Sequence, residues 1–475
     1  MSPSAAEREK PIVVLKFGRT ELGSRAAASH TGAMTGTDEI FDAAFRQFGL
    51  IRVEDCCDLY DVAMSLRRKR WPKGRRAASL SLSGGNVVQM VDCGSDLGLE
   101  WSDFTPATQA QLAKLMPGYG KVSNPTDMTA LAAGKTELFR NAIDVISCDE
   151  NVDVMIPLFT MANKTELDQA VALERESSKP FVILWTGGCF EDEALTTASF
   201  VRLGIPAYRD TLACLRAVRA AIGYGEYLKT FHRRDSLQRP AGIDCEAARA
   251  RLRSNKGAVL TERESKQILA AYGLPVTAEK LAQNAGEAVA HARTIGMPVA
   301  LKIDSPDIPH KTEAGAIRLD VSDEPAVERA YQDVVAAAYQ YRADARINGV
   351  LVQQMAAPGV EMILGVVTDP VFGPVIAVGM GGVYVEVLHD VAYRLPPFEE
   401  TEAMGMLREL RGYKLLGGVR GRPPCNVDAL VDAIVRLSWL AHDLRDEIVE
   451  LDVNPLIVSE HGVCAADALV VTRPA

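Results

Sequence analysis

The sequence predicts an α/β protein made of a partial and a complete parallel-sheet domain, followed by a third domain of different texture. Three observations carry this. Short apolar runs alternate with helical patterns through the first half of the chain, as parallel strands joined by crossover helices require. A capping-box signature, Thr261-Glu-Arg-Glu264, then opens a new region, in which apolar strands carry isolated polar residues. Finally, 475 residues divide into about three domains, each long enough to bury a core.

Taken in order, Ile12 to Phe17 reads as a strand, Asp38 to Phe48 as a helix, Ile51 to Val53 as a strand and Asp58 to Arg67 as a helix. Residues 10–73 therefore supply only half of a doubly wound domain. The basic run from Arg67 to Arg76, broken by Pro72 and Gly74, reads as a solvated linker. Residues 74–232 form a second α/β region, with strands at Ala78 to Leu82, Val152 to Leu158 and Phe181 to Trp185 and helical patterns such as Ala107 to Leu115. Residues 233–247, rich in Arg, Asp and Ser, read as a linker running into a short helix around Cys245 to Leu252. The third region covers 248–475; its first clear helix runs through Ile268 and Leu269 and stops at Gly273.

Composition narrows the function classes. A net charge of −10 argues against a general nucleic-acid or anionic-membrane surface. No apolar run reaches the roughly 18 residues that span a bilayer, and the first ten residues lack the apolar core of a signal peptide, so a cytoplasmic setting is expected. Nine cysteines without a Cys-x-x-Cys pair fit free thiols in a reducing compartment.

Several positions carry candidate chemistry. His30 sits in Ala-Ala-Ala-Ser-His-Thr-Gly, where small residues permit close approach, with Lys16, Arg19 and Arg25 offering positive charge to a phosphoryl group. Ser83-Gly84-Gly85 lies at a strand-to-helix junction, a place where backbone N–H groups and the helix dipole face an anion. Lys302 projects from the apolar run Val299 to Ile303, and a buried ammonium needs an anionic partner. The alternating stretch Glu450 to Leu456 puts Glu450, Asp452 and Asn454 on one strand face, and Asp467 follows a turn; hard oxygens of this kind suit Mg²⁺. His310 lies in a loop bounded by proline and glycine, Ser305 to Gly315.

The block Pro11 to Glu21 followed by Ala28-Ser-His-Thr-Gly32 resembles the NDP-forming (ADP-forming) acyl-CoA synthetases, relatives of succinyl-CoA synthetase, and the region from Leu260 onward resembles an ATP-grasp domain. The fold implied is a partial plus a complete flavodoxin-like (succinyl-CoA synthetase-like) domain, then an ATP-grasp domain. The resemblance implies that His30 is transiently phosphorylated and that Lys302 holds the nucleotide phosphates. It assigns Met355 to adenine, Glu361 to ribose, and Asn454 and Asp467 to Mg²⁺. Ser83, Gly84 and Gly85 become one of two helix starts that grip the phosphohistidine, and Asn124 and Asp127 are polar candidates nearby. His310 becomes a possible phosphate carrier between distant sites, although Lys311-Thr-Glu and Ala314-Gly-Ala depart from the family's usual loop. Ala468-Leu469 likewise replaces a basic residue common after the aspartate.

The activity implied is an acid–thiol ligase that forms acyl-CoA from a carboxylate, CoA and ATP, releasing ADP and phosphate. Family members begin with a CoA-binding domain and the first half of the phosphohistidine domain, which are not seen here. A separate CoA-binding chain, or a homo-oligomer, is therefore expected as partner. The competing readings are an ATP-grasp carboxylate–amine ligase without CoA and a nucleotide-binding regulatory or scaffold protein. The acyl substrate is not legible.

Overall fold

Apolar runs become parallel strands in the first half of the chain and antiparallel strands in the second. The computed structural model describes residues 3–20, 22–25, 37–116, 122–160, 164–186, 197–231, 237–253, 257–308, 310–382, 390–419, 421 and 423–474. Contacts divide the chain into two units, Met1–Ser24 with Phe45–Asp235 and Arg25–Ala44 with Ser236–Ala475.

In the first unit β1 (Ile12–Leu15) pairs in parallel with β2 (Leu50–Val53). The main sheet holds β3 (Ala77–Ser81), β4 (Thr126–Asp127), β5 (Val154–Phe159), β6 (Ile183–Trp185) and β7 (Ala207–Tyr208), all parallel, in the order β4-β3-β5-β6-β7. Because side chains alternate across a strand, this sheet feeds two cores. Leu80, Met155, Phe159, Ile183 and Trp185 fill one, while Ala77, Val154, Ile156, Leu158 and Leu184 fill the other. That second core also takes Val53, Val62 and Leu66, so the half-domain borrows apolar cover from its neighbour. Its helix Cys56–Leu66, capped by Asp55, packs with the helix Thr211–Phe231, whose Leu215, Val218 and Ile222 are fully buried.

The basic run corrects the solvated-linker reading. Arg68 donates to the buried carboxylate of Glu174 at 2.8 Å, and Arg70 donates to the Glu174 carbonyl at 2.8 Å. Arg75 makes a two-pronged pair with Glu226 and Arg76 another with Asp153. These arginines fasten the half-domain's exit to three later elements. The forked guanidinium suits such two-point pairing.

In the second unit a four-stranded antiparallel sheet, order β10-β9-β11-β8, is made of β8 (Glu279–Ala282), β9 (Val299–Asp304), β10 (Ile317–Val321) and β11 (Gly349–Gln354). The helices Ala285–Ile295 and Glu324–Tyr341 cover it. A second antiparallel sheet runs β14-β13-β12-β15-β16, with β17 on β15; its strands are β12 (Val360–Asp369), β13 (Gly373–Met380), β14 (Val391–Arg394), β15 (Ile448–Ser459), β16 (Gly462–Ala465) and β17 (Leu469–Thr472). Its core includes Ala248 and Leu252 of the helix Cys245–Arg253, Ile268 and Leu269 of Glu262–Ala271, and eight apolar residues of the helix Val427–Asp443. No helix among the described residues is long and apolar enough to cross a membrane, and none of the described cysteines is in a disulfide.

Candidate active site

A cleft of about 810 Å³ opens where the segment after β11 carries the chain from the smaller sheet to the larger. Lys302 of β9, Gln353 of β11, Met355, Glu361 of β12, Asn454 of β15 and Asp467 all line it, which brings together five positions predicted for nucleotide and metal. A volume of this size lies within the range that holds a small-molecule ligand. The register explains part of the convergence. Lys302 pairs across the sheet with Leu351, and Glu361 pairs with Ile457, while the β12–β15 ladder shifts register beside Asn454 and Pro455. Such a bulge re-aims side chains at the edge of a site.

Beneath the cleft lies a group of charges that the sequence does not reveal as a unit. Lys302 is buried, and its Nζ donates to Glu262 Oε1 and to the Ala466 carbonyl, each at 2.9 Å. Lys266 Nζ donates to Glu262 Oε1 at 2.6 Å, to Thr277 at 2.9 Å and to Glu279 at 2.9 Å. Lys311 Nζ lies 2.9 Å from Glu262 Oε2. Three ammonium groups thus surround one fully buried carboxylate. Local helix physics sets this up: Thr261 caps the helix with Glu264 in a complete capping box, so Glu262 begins the first turn at the positive end of the dipole. Lys266 falls one turn on, on the same face.

Burial opposes ionisation of Glu262, but Lys302, Lys311 and Lys266 outweigh it and hold its carboxyl well below the usual glutamate range. Burial likewise opposes the charge on Lys266 and Lys311, and the facing carboxylates more than offset it, raising both. Asp467 differs. Its oxygens lie 3.7 Å from Lys302 and 3.6 Å from Lys311, beyond hydrogen-bond reach, and its side chain is 33% exposed against 0% for Glu262. Burial and the Glu262 charge push its carboxyl up, the lysines pulling less strongly the other way. A loosely held carboxylate that faces the cleft and favours more positive charge fits Mg²⁺, and Asn454 lines the same cleft; this ion takes one or two protein groups and completes its shell with phosphates and water. Gln353 Nε2 donates to the same Ala466 carbonyl as Lys302, at 2.9 Å, which fixes the backbone on which Asp467 stands. Asp452 is driven up to about 6 by burial, then by Glu450 and Asp467.

The remaining predicted positions do not line this cleft or fall outside the described residues. His30 and its motif lie outside them. His310 is exposed, yet its neighbours Lys311 and Thr312 reach the site, one through Glu262 and the other in the cleft wall. Ser83 is the N-cap of the helix Gly84–Asp96, as its strand-to-helix position suggests. A Cβ on Gly84 would come within 2.7 Å of Asp127 Oδ2, so the Asp127 side chain would have to shift for a larger residue, and a carboxylate already lies against this helix start. Asn124 instead donates to the carbonyls of Ala77 and Ser102, a structural role. Sequence reasoning missed Glu262, Lys266, Lys311 and Gln353. An i,i+4 acid–base pair at a helix start was the one available signal, and the capping box explained that stretch without it.

Comparison with known proteins agrees with the geometry. Residues 251–472 match the ATP-grasp domain family, and residues 2–66 match the succinyl-CoA ligase like flavodoxin domain. The acetate–CoA ligase (ADP-forming) I of Archaeoglobus fulgidus is 36% identical over 97% of this chain, which spans 66% of that relative's length. In Pyrococcus furiosus, acetate–CoA ligase (ADP-forming) I has a subunit beta that is 40% identical over 45% of this chain and 91% of its own length. Its subunit alpha is 31% identical over 46% of this chain and 48% of its own length. A buried lysine–carboxylate cluster under a cleft between two antiparallel sheets, joined to a flavodoxin-like half-domain and matched along nearly the whole chain, makes this protein a member of the ADP-forming acyl-CoA synthetase family.

Proposed function

We propose that the chain is the nucleotide-binding and phosphohistidine-bearing component of an ADP-forming acyl-CoA synthetase, working with a CoA-binding partner chain in the cytoplasm. The observation that carries this reading is the convergence of Lys302, Glu361, Asn454 and Asp467 on one cleft. Lys302, steadied by Glu262 and the Ala466 carbonyl, is the cation for the β- and γ-phosphates. Met355 and Glu361, which line the same cleft, are the proposed contacts to adenine and ribose. Asn454 and Asp467 would hold Mg²⁺, which supplies charge neutralisation along the phosphates.

The chemistry divides one uphill condensation into transfers. An imidazole nitrogen of His310 attacks the γ-phosphorus of ATP and the bond to ADP breaks; an imidazole nitrogen of His30 then attacks that phosphorus and the P–N bond to His310 breaks. A carboxylate oxygen of the substrate then attacks that phosphorus, the P–N bond breaks, and an acyl phosphate forms. The CoA sulfur attacks the acyl carbon, phosphate leaves with the C–O pair, and the thiol proton passes to solvent. Covalent catalysis of this kind replaces a single high barrier with lower ones. His310 is the proposed carrier between the nucleotide cleft and His30, and the helix start at Ser83-Gly84-Gly85 the proposed cradle for the phosphorylated histidine.

Incubation with γ-labelled ATP tests the reading. An acid-labile, base-stable label is expected on the protein, and with a CoA-binding chain supplied His30→Ala should abolish product while leaving nucleotide binding intact. A label that persists when His30 and His310 are both replaced would defeat it.

A further inference from the structure

Of the three lysines around Glu262, Lys266 belongs to a helix and Lys302 to a strand, whereas Lys311 sits on a turn. That turn, closed by Ala314 N–H to the His310 carbonyl at 3.2 Å and Ala316 N–H to the Lys311 carbonyl at 2.9 Å, leaves His310, Thr312 and Glu313 exposed. Its two ends are anchored. Ile308 and Ala316 are buried, and Asp307 is clamped by Arg346 at 3.0 Å. Within the turn only Lys311 turns inward with its charge: its side chain is 11% exposed and its Nζ lies 2.9 Å from Glu262 Oε2 and 3.6 Å from Asp467 Oδ1.

We propose that Lys311 is an exchangeable counter-cation, which holds the Glu262–Asp467 carboxylates when nucleotide is absent and yields Asp467 to the incoming metal, so that metal binding frees the turn carrying His310. This deepens the nucleotide reading and rests on it. The physical basis is competition at one carboxylate. With Lys311 in place, three lysines (266, 302, 311) balance three carboxylates (Glu262, Glu279, Asp467). A divalent cation at Asp467 overcharges that group, and repulsion falls on the ammonium whose backbone can move. The helix and strand hold Lys266 and Lys302 in place. Lys311 is thus a positioning residue that links the metal to the location of His310, two groups with no direct contact.

The test uses the full chain, ADP, Mg²⁺ and the variants Lys311→Met and Lys311→Arg. Titration calorimetry of Mg²⁺ at saturating ADP should show tighter metal binding in Lys311→Met, by about tenfold, the ordinary size of a coupling between sites. Lys311→Arg should stay near the wild type. Hydrogen–deuterium exchange of residues 310–316 in the wild type should rise when Mg²⁺ is added to the ADP complex and stay low with ADP and chelator. In Lys311→Met it should be high throughout. A merely structural lysine would raise exchange without tightening the metal, and that result overturns the proposal. So does wild-type exchange indifferent to Mg²⁺, a measurement that holds even if Lys311→Met fails to fold. If neither protein binds ADP, the nucleotide reading itself has failed, which the same titration reveals.

Discussion

Replacing Lys302 with alanine takes one of three cations from Glu262 and, on the proposed reading, one charge-assisted contact from the nucleotide phosphates. Hydrogen bonds to charged groups contribute about 1.5–3 kcal/mol, so the ADP dissociation constant should rise about 10- to 100-fold in a calorimetric titration. Asp452 gives a pH signature. Its carboxyl titrates near 6 in the fold against 3.8 as an isolated group, so its favourable contribution is complete below about pH 4 and is lost as pH rises through 6. Asp452→Asn should therefore gain stability over the wild type between pH 5 and pH 8, by about 1–3 kcal/mol, read from urea midpoints at each pH. A constant difference across that range would refute the assignment. Lys302 was legible because a lysine inside an apolar strand demands an explanation on its own. Glu262 was not, since the partner that matters is 40 residues away and a helix start accounts for an acidic residue locally.

At the level of elements, the arginine run from 67 to 76 is the clearest case of charge serving as a fastener. Glu174→Ala removes a buried carboxylate and leaves Arg68 and Arg70 to find water, which they can do in part because each is 31% exposed. The cost should be about 1–3 kcal/mol, seen as a lower urea midpoint of the first unit with ADP binding unchanged. An unchanged midpoint would return these residues to the role of a solvated tether. Strands were readable within a residue or two wherever they formed continuous apolar runs, as in Val154–Phe159, because a sheet buried on both faces excludes polar residues. The partners of the arginines were not readable. Glu174 and Glu226 sit within amphipathic helices where any acid looks like ordinary surface, and only the tertiary fold brings them 106 and 151 residues back along the chain.

At the level of the whole molecule, the proposed function predicts that the purified chain binds nucleotide and that thioester formation with a short carboxylic acid appears only when a CoA-binding chain is added. Acyl-CoA made by the 475-residue chain alone would contradict this and relocate the CoA site. The order of domains was legible from texture and motif, while the sharing of one core between the half-domain and its neighbour was not, because Val53, Val62 and Leu66 carry no mark of which sheet they will cover. The arginine fasteners bear on how a gene for such a protein can be divided. A break in the reading frame just after codon 76 would put Arg68, Arg70, Arg75 and Arg76 on a different polypeptide from their partners Glu174, Glu226 and Asp153, and would split the core that Val53, Val62 and Leu66 share with the neighbouring sheet. A break just after codon 231 severs none of those pairs. Dividing the gene is therefore expected to be tolerated better between the helix Thr211–Phe231 and the helix Cys245–Arg253 than just after the arginine run.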